Sequence, residues 1–157
     1  MDVSALRTFL LASNKAGYAG AEEKKWIKEA NSSTTIRFTS GEWSSDDNFF
    51  GGEPYGGRTI VFYKGKPVWM MVYYGWIDES VRDPNPIYAF LRQALMNMPP
   101  DYPFRGPKSL KEKKLAYTNI WKGTIERFAG HENIKEGGKE VYYASYVGGL
   151  IDQQVAL

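Results

Sequence analysis

Two stretches of this chain echo each other, and that echo narrows the folds open to it. Trp43, Phe50 and Gly52 recur as Trp121, Phe128 and Gly130, an offset of 78. Gly65-Lys66-Pro67-Val68-Trp69, with Tyr73 and Gly75, recurs as Gly138-Lys139-Glu140-Val141-Tyr142, with Tyr146 and Gly148, an offset of 73. One deletion of five residues reconciles the two offsets. Self-similarity of this kind predicts duplicated supersecondary units that share a core. The repeats are expected over about 33–77 and 111–151, inside a single domain spanning 1–157.

The periodicity between and within the repeats gives the elements. Val3, Leu6, Phe9 and Leu10 recur at helical spacing, with Asp2 or Ser4 as cap, predicting a helix over 3–14. Residues 21–30 read as a short helix with Trp26 and Ile27 inward. Residues 86–98 form the clearest amphipathic pattern, with Asn85 as cap, Pro86 at the first turn, and Ile87, Phe90, Leu91, Ala94, Leu95 and Met98 on one stripe. Strands are expected from Thr34 to about Gly41, from Asp46 to Phe50, from Thr59 to Tyr63 and from Val68 to Tyr74. In the second repeat they are expected at 115–120, 125–128, 133–135 and 141–147. Lys64-Gly65-Lys66 and Gly137-Gly138 are hairpin turns. The predicted class is α+β: antiparallel sheet, single or as two apposed sheets, from two repeated β-meanders, with the central 86–98 helix and an N-terminal helix packed on them.

Composition excludes more than it assigns. The chain has 157 residues and no cysteine, so disulfides, thiolate nucleophiles and Cys-based zinc sites are out. The N-terminus lacks a basic signal region, and the longest apolar run, Val68 to Tyr74, is too short to span a bilayer. A cytoplasmic location without membrane contact follows as the expectation. The net charge of +2 supplies no whole-molecule argument for nucleic acid.

Tyr63-Lys64-Gly65-Lys66-Pro67-Val68-Trp69 followed by Tyr73-Tyr74-Gly75 resembles an uncharacterised prokaryotic domain family of unknown function. Tyr18-Ala19-Gly20, Gly41-Glu42-Trp43 with Asp47 and Phe50-Gly51, Arg105-Gly106-Pro107 and Gly148-Gly149-Leu150-Ile151 fit the same pattern, so the resemblance covers roughly 5–151. In some relatives the domain looks to be joined behind an Xre-type helix-turn-helix module, which implies a sensing or partner-binding role. The family supplies no catalytic residues to transfer.

Candidate sites follow from residue chemistry. His131, the only histidine, stands beside Glu132, a carboxylate able to orient it as a general base. Glu53 and Glu132 fall at nearly equivalent places in the two copies and could face each other across a pseudo-twofold axis, although each more simply holds backbone N–H groups at a strand end. Asp46 and Asp47 point to opposite faces of a strand. Trp69, Met71 and Tyr73 share one strand parity with Tyr142, Ala144 and Tyr146. The other parity, Val68, Met70, Val72, Val141, Tyr143 and Val147, is more aliphatic and is the expected partner of the 86–98 helix. The aromatic set then lines a concave cleft of the kind small ligands occupy, or else a second core. Lys108, Lys111, Lys113 and Lys114 with Arg105, near Tyr102, Phe104 and Tyr117, make the one basic cluster, more simply read as solvation than as a nucleic-acid patch.

The leading expectation is a non-catalytic ligand- or partner-binding domain using Trp69, Tyr73, Tyr142, Tyr146, Glu53 and Arg105, regulatory if the resemblance holds. It needs no cofactor and no metal. The second reading is a small hydrolase or isomerase acting through His131, Glu132, Glu53 and Asp47. The third is a self-association or protein-interaction module, such as a homodimer.

Overall fold

A computed structural model describes residues 1–19 and 25–151. The order of elements is α1 (Val3–Ala19), β1 (Lys25–Lys28), β2 (Thr34–Ser40), β3 (Trp43–Gly51), β4 (Tyr55–Tyr63), β5 (Lys66–Ile77), α2 (Asn85–Met96), β6 (Ser109–Glu112), β7 (Leu115–Thr124), β8 (Arg127–Glu136) and β9 (Lys139–Leu150). All nine strands lie in one antiparallel sheet in the order β1-β2-β3-β4-β5-β9-β8-β7-β6. Each run of consecutive strands is a meander, and the two meet where β5 pairs with β9.

Local chemistry accounts for the elements. Asp2 caps α1: its Oδ1 accepts from the backbone N–H groups of Ser4 and Ala5 at 2.9 and 3.1 Å. The helix runs past the predicted end to Ala19. Pro84 rather than Asn85 is the N-cap of α2, with no side-chain cap bond, and the Asp83 carboxylate accepts from the Asn85 N–H at 3.0 Å. Lys64-Gly65 and Gly137-Gly138 all have positive φ, the geometry that a two-residue hairpin turn demands. The segments expected at 125–128 and 133–135 belong to one strand, β8. The short β6 was not expected. Residues 25–28, expected as helix, form edge strand β1; the preceding part of that expectation, 21–24, lies outside the described residues.

The two offsets fare differently. At 73, Tyr73 corresponds to Tyr146, and these two are direct partners across β5 and β9. The offset of 78 has no structural counterpart. Trp43 opens β3 opposite Tyr63, whereas Trp121 lies late in β7 opposite Gly130. Trp43 packs beneath Phe9, and Trp121 against Tyr102 and Phe104.

The helices cover one face. Leu6, Phe9, Leu10 and Ala16 of α1 pack with Phe38, Val61, Trp69, Met71 and Tyr73. Ile87, Phe90, Leu91, Ala94 and Leu95 of α2 pack with Ile77, Ile134, Val141, Tyr142 and Ala144. Asn14 Nδ2 donates to the Leu95 carbonyl at 2.8 Å and ties the helices together. The aromatic parity is therefore the one beneath the helices, opposite to expectation. Val72 and Val147 of the aliphatic parity face outward, with Tyr74 and Trp76. Val68 and Val141 are exceptions, because a β-bulge beside each turns it inward next to Trp69 or Tyr142.

The β5–β9 seam is tight. A Cβ at Gly148 would stand 2.2 Å from the Met70 carbonyl oxygen and 2.9 Å from Met71 Cα, both backbone atoms of the facing strand. Gly148→Ala is therefore expected to cost about 3 kcal/mol, as core overpacking does, read as a lower urea midpoint. Gly52→Ala, whose Cβ meets nothing within 4 Å, is the control with little effect.

Candidate functional site

On the covered face, between the two apolar clusters, lies a polar centre. The segment 97–108 leads from α2 to β6 and lays Arg105 onto the sheet, with Phe104 stacked on Phe128 of β8 at a centroid distance of 4.0 Å. Glu132 points inward from the middle of β8 and is completely buried. Arg105 Nε donates to Glu132 Oε1 at 3.1 Å, and Nη2 donates to the same oxygen. Tyr117 donates to Glu132 Oε2 at 2.5 Å and Tyr142 to Oε1 at 3.0 Å. Tyr55 and Tyr142 share a hydrogen bond of 2.6 Å, and the Arg105 guanidinium lies 5.9 Å from the Tyr73 ring centroid.

Two further bonds flank this centre. Tyr73 donates to Asp47 Oδ1 at 2.6 Å, and Tyr146 donates to Asn119 Oδ1 at 2.7 Å. Asp47 stands opposite Thr59, and Asn119 opposite Glu132. The inner face thus carries one carboxylate in each meander, on different strands of the corresponding pair.

Burial sets the protonation states. It raises the phenol pKa values of Tyr55, Tyr73, Tyr117, Tyr142 and Tyr146, and the carboxylates of Asp47 and Glu132 reinforce the shift where they lie close. Burial alone would discourage the Arg105 charge; Glu132 overcomes that, and the guanidinium pKa is raised. The centre is an ion pair of Arg105 with Glu132, with neutral phenols donating to it.

Of the expected site residues, Arg105, Tyr142 and Glu132 come together here, with the Tyr73–Asp47 bond and the Tyr146 hydroxyl on its flanks. Their polar atoms satisfy one another. The described buried side-chain atoms without a partner are Arg7 Nε and Asn133 Oδ1, neither of them in this network. Trp69 is buried apart, its Nε1 donating to the Ile125 carbonyl at 2.9 Å. Glu53 is not the counterpart of Glu132. It lies in the β3–β4 turn, accepts from the Ile77 N–H at 2.7 Å and from the Tyr88 hydroxyl, and fastens that turn to β5 and α2. His131 points outward, stacked on Tyr143, while its neighbour Glu132 points inward, so the carboxylate does not orient the imidazole. The expected basic cluster dissolves at Arg105, which is buried in its ion pair. Tyr55, Tyr117 and Asn119 were missed as members of the centre; the offset of 72 between Asp47 and Asn119 was the available signal.

The outer face is of another kind. Tyr74, Trp76, Val147 and Ile120 are 52%, 42%, 55% and 54% exposed, and Val72 and Phe50 are exposed beside them. Trp76 packs on Tyr143 at 5.0 Å and on Tyr74 at 5.9 Å. A third feature, an open cleft of about 360 Å³ lined by Met1, Asp2, Ala5, Trp43 and Tyr63, lies at the start of α1. Among the described residues no three acidic or histidine side chains gather as metal ligands, and no helix is long and apolar enough to cross a membrane.

A family model described as a domain of unknown function (DUF5680) matches residues 47–151, from the inward carboxylate of β3 to the end of β9. The chain belongs to this family. No curated protein and no solved structure matches it. Within this DUF5680 domain the match takes in both meanders from β3 onward, α2 and the whole polar centre.

Glu132→Leu strands the buried guanidinium and is expected to cost about 3–5 kcal/mol; the double replacement Arg105→Met with Glu132→Leu recovers most of it. A double-mutant cycle in urea measures the coupling. Above about pH 10 an unfolded tyrosine ionises while these buried ones stay neutral. The folded state then holds more protons, so stability is full below pH 10 and falls above it, by about 1.4 kcal/mol per pH unit for each such tyrosine. Urea midpoints between pH 9 and 11 should show this fall, and Tyr146→Phe should flatten it.

Proposed function

We propose that this domain is a non-catalytic binding module that docks a macromolecular partner on the open face of its sheet. The observation that carries the reading is the exposed apolar and aromatic cluster of Val72, Tyr74, Trp76, Tyr143 and Val147 on the paired central strands β5 and β9, with Ile120 exposed on the same face two strands away on β7. An antiparallel sheet with one face in water ordinarily places polar side chains there. A contiguous apolar patch of this kind marks an interaction surface.

The small-ligand form of the reading, through Trp69, Tyr73, Tyr142, Tyr146, Glu53 and Arg105, has less support. Those hydroxyls and charges already bond to protein groups, and a ligand would have to displace them. The hydrolase or isomerase reading asks His131, Glu132, Glu53 and Asp47 to converge. They are divided among the outer face, the buried centre, a turn and the β3 strand, each with partners of its own. A regulatory role, of the kind the resemblance to helix-turn-helix fusions implies, is compatible with a docking face and adds nothing to its chemistry.

A docking face contributes little to folding. Tyr74→Ser with Trp76→Ser is expected to leave the melting temperature within about 3 °C of the parent, since exposed substitutions are usually near neutral, and to reduce binding of a hydrophobic dye severalfold. A fall in melting temperature comparable with that of a core truncation such as Ile134→Ala would show the cluster to be structural and would defeat the reading.

A further inference from the structure

We infer that the partner of the open face is a single-stranded nucleic acid. The inference rests on the docking reading above and specifies its occupant. Three cross-strand rows describe the surface. The first runs Arg58, Val72, Val147, Ala129, Lys122 across β4, β5, β9, β8 and β7. The second runs Gly56, Tyr74, Ser145, His131, Ile120, and the third Trp76, Tyr143, Asn133, Thr118. Cations end the first row on both sides, about 19 Å apart across four strand spacings. Arg127 adds a third on the same side of β8, two residues before Ala129. Aromatic rings and an imidazole fill the space beside them: Tyr74, Trp76, Tyr143 and His131.

The charges on this face are unequal in a way the whole-chain balance conceals. Arg58, Lys122 and Arg127 form no ion pair among the described residues. The acids of the same face are engaged: Asp46 is held by Arg37 at 2.7 Å, and Glu140 accepts from Asn133 at 3.0 Å. The neutral Asn133 amide leaves the charge of Glu140 in place, so of these residues three cations without an ion pair, Arg58, Lys122 and Arg127, stand against one such carboxylate, and the balance is positive. A second copy of the chain would bring cations toward cations around the cluster. A polyanion would meet them favourably.

Stacking narrows the polyanion. Unpaired bases lie flat on exposed aromatic side chains, and basic groups at the flanks follow the phosphates; sheet faces are a recurrent platform for this. A duplex keeps its bases inside the stack and presents none to a flat sheet. An acidic polypeptide would satisfy the cations and leave the rings without a matching surface. Gly56 contributes to the platform: a Cβ there would stand 2.9 Å from the Tyr74 ring, so this ring lies over the glycine and extends along the sheet.

Fluorescence anisotropy on the full chain with labelled oligo(dT) and oligo(U) tests the inference, with a duplex of the same length and polyglutamate alongside. Single strands should bind at low salt, with affinity falling linearly in log[salt], and should do so at least tenfold more tightly than the duplex. Arg58→Glu with Lys122→Glu should weaken binding more than tenfold, and each lost cation should reduce the salt slope by about 0.7. Trp76→Ser should weaken it about tenfold with the slope unchanged, and Trp76→Phe should keep most of the affinity. Absence of oligonucleotide binding at low salt overturns the inference, as does binding indifferent to these variants. Polyglutamate bound as tightly as oligo(dT), with the same loss in the charge variants, also overturns it while leaving the docking reading intact. Failure of the docking reading shows separately, as loss of stability in the Tyr74→Ser, Trp76→Ser protein.

Discussion

The pairing of β5 with β9 is the constraint on which everything else in this molecule depends. Each meander taken alone would end in a bare strand of twelve residues, with a row of unpaired N–H and C=O groups and an apolar inner face. Joining them removes both edges and places α1 and α2 side by side on one surface. The seam leaves little tolerance. Tyr73 and Tyr146 face each other across it. Gly148 leaves room for the facing backbone at Met70 and Met71, and Gly75 leaves room for the side chains of Ala144 and Tyr55. The two hydroxyls turn away from the seam, each to a partner in its own meander, Asp47 or Asn119. These two bonds reinforce each half separately, while the ladder, with the Tyr55–Tyr142 bond and the bond from Trp69 to the Ile125 carbonyl, connects the halves.

The buried ion pair serves a different purpose from the ladder. A fully desolvated carboxylate is costly, and a salt bridge in such a place is weak evidence of net stabilisation. Its position supplies a better reason for its presence. Arg105 is delivered by an irregular connection without regular backbone pairing to hold it in place. An apolar side chain could settle on this mixed aromatic surface in several ways. A guanidinium that must reach one carboxylate, itself held by Tyr117 and Tyr142, has one. The stacking of Phe104 on Phe128 then follows from the same placement. On this account the pair specifies where the 97–108 segment lies, and the phenols hold the carboxylate in its orientation for the guanidinium.

Much of the fold was legible from residue patterns, because the signals involved are local. Helix periodicity, the proline at the start of α2 and the glycine turns between β4 and β5 and between β8 and β9 depend only on near neighbours. The face assignment was not legible in the same way. Strands apolar on both parities suggest burial on both sides, and the aliphatic set seemed the better match for a helix. The bulges at Val68 and Val141 break that inference by burying consecutive residues, and a bulge leaves no mark in composition. The aromatic parity could go inward only because Asp47, Asn119 and Glu132 stand on the same face to take its hydroxyls, a condition set by registers between distant strands. The misleading offset of 78 had the same cause. It matched residue types, whereas register shows that Asp47 and Asn119 correspond at 72 and Tyr73 and Tyr146 at 73. Glu53 and Glu132 are not equivalent for the same reason.

Net charge conceals how charges are distributed. A chain with nearly equal numbers of acids and bases looks indifferent to polyanions, and the one run of lysines near Arg105 seemed the sole exception. Folding rearranges this balance. The arginine of that run goes into the core to meet Glu132, and Asp47, the other inward carboxylate, accepts from Tyr73. Asp46 on the outer face is taken by Arg37. The cations left over are Arg58 of β4 and, far from it in sequence, Lys122 and Arg127 of the adjacent strands β7 and β8, and the sheet brings them to one surface beside Tyr74, Trp76 and Tyr143. The antiparallel alternation that sends Tyr73 inward to Asp47 sends Tyr74 outward to the cluster. The buried centre and the open face are therefore consequences of one register, and a slip of one residue in β5 would exchange them.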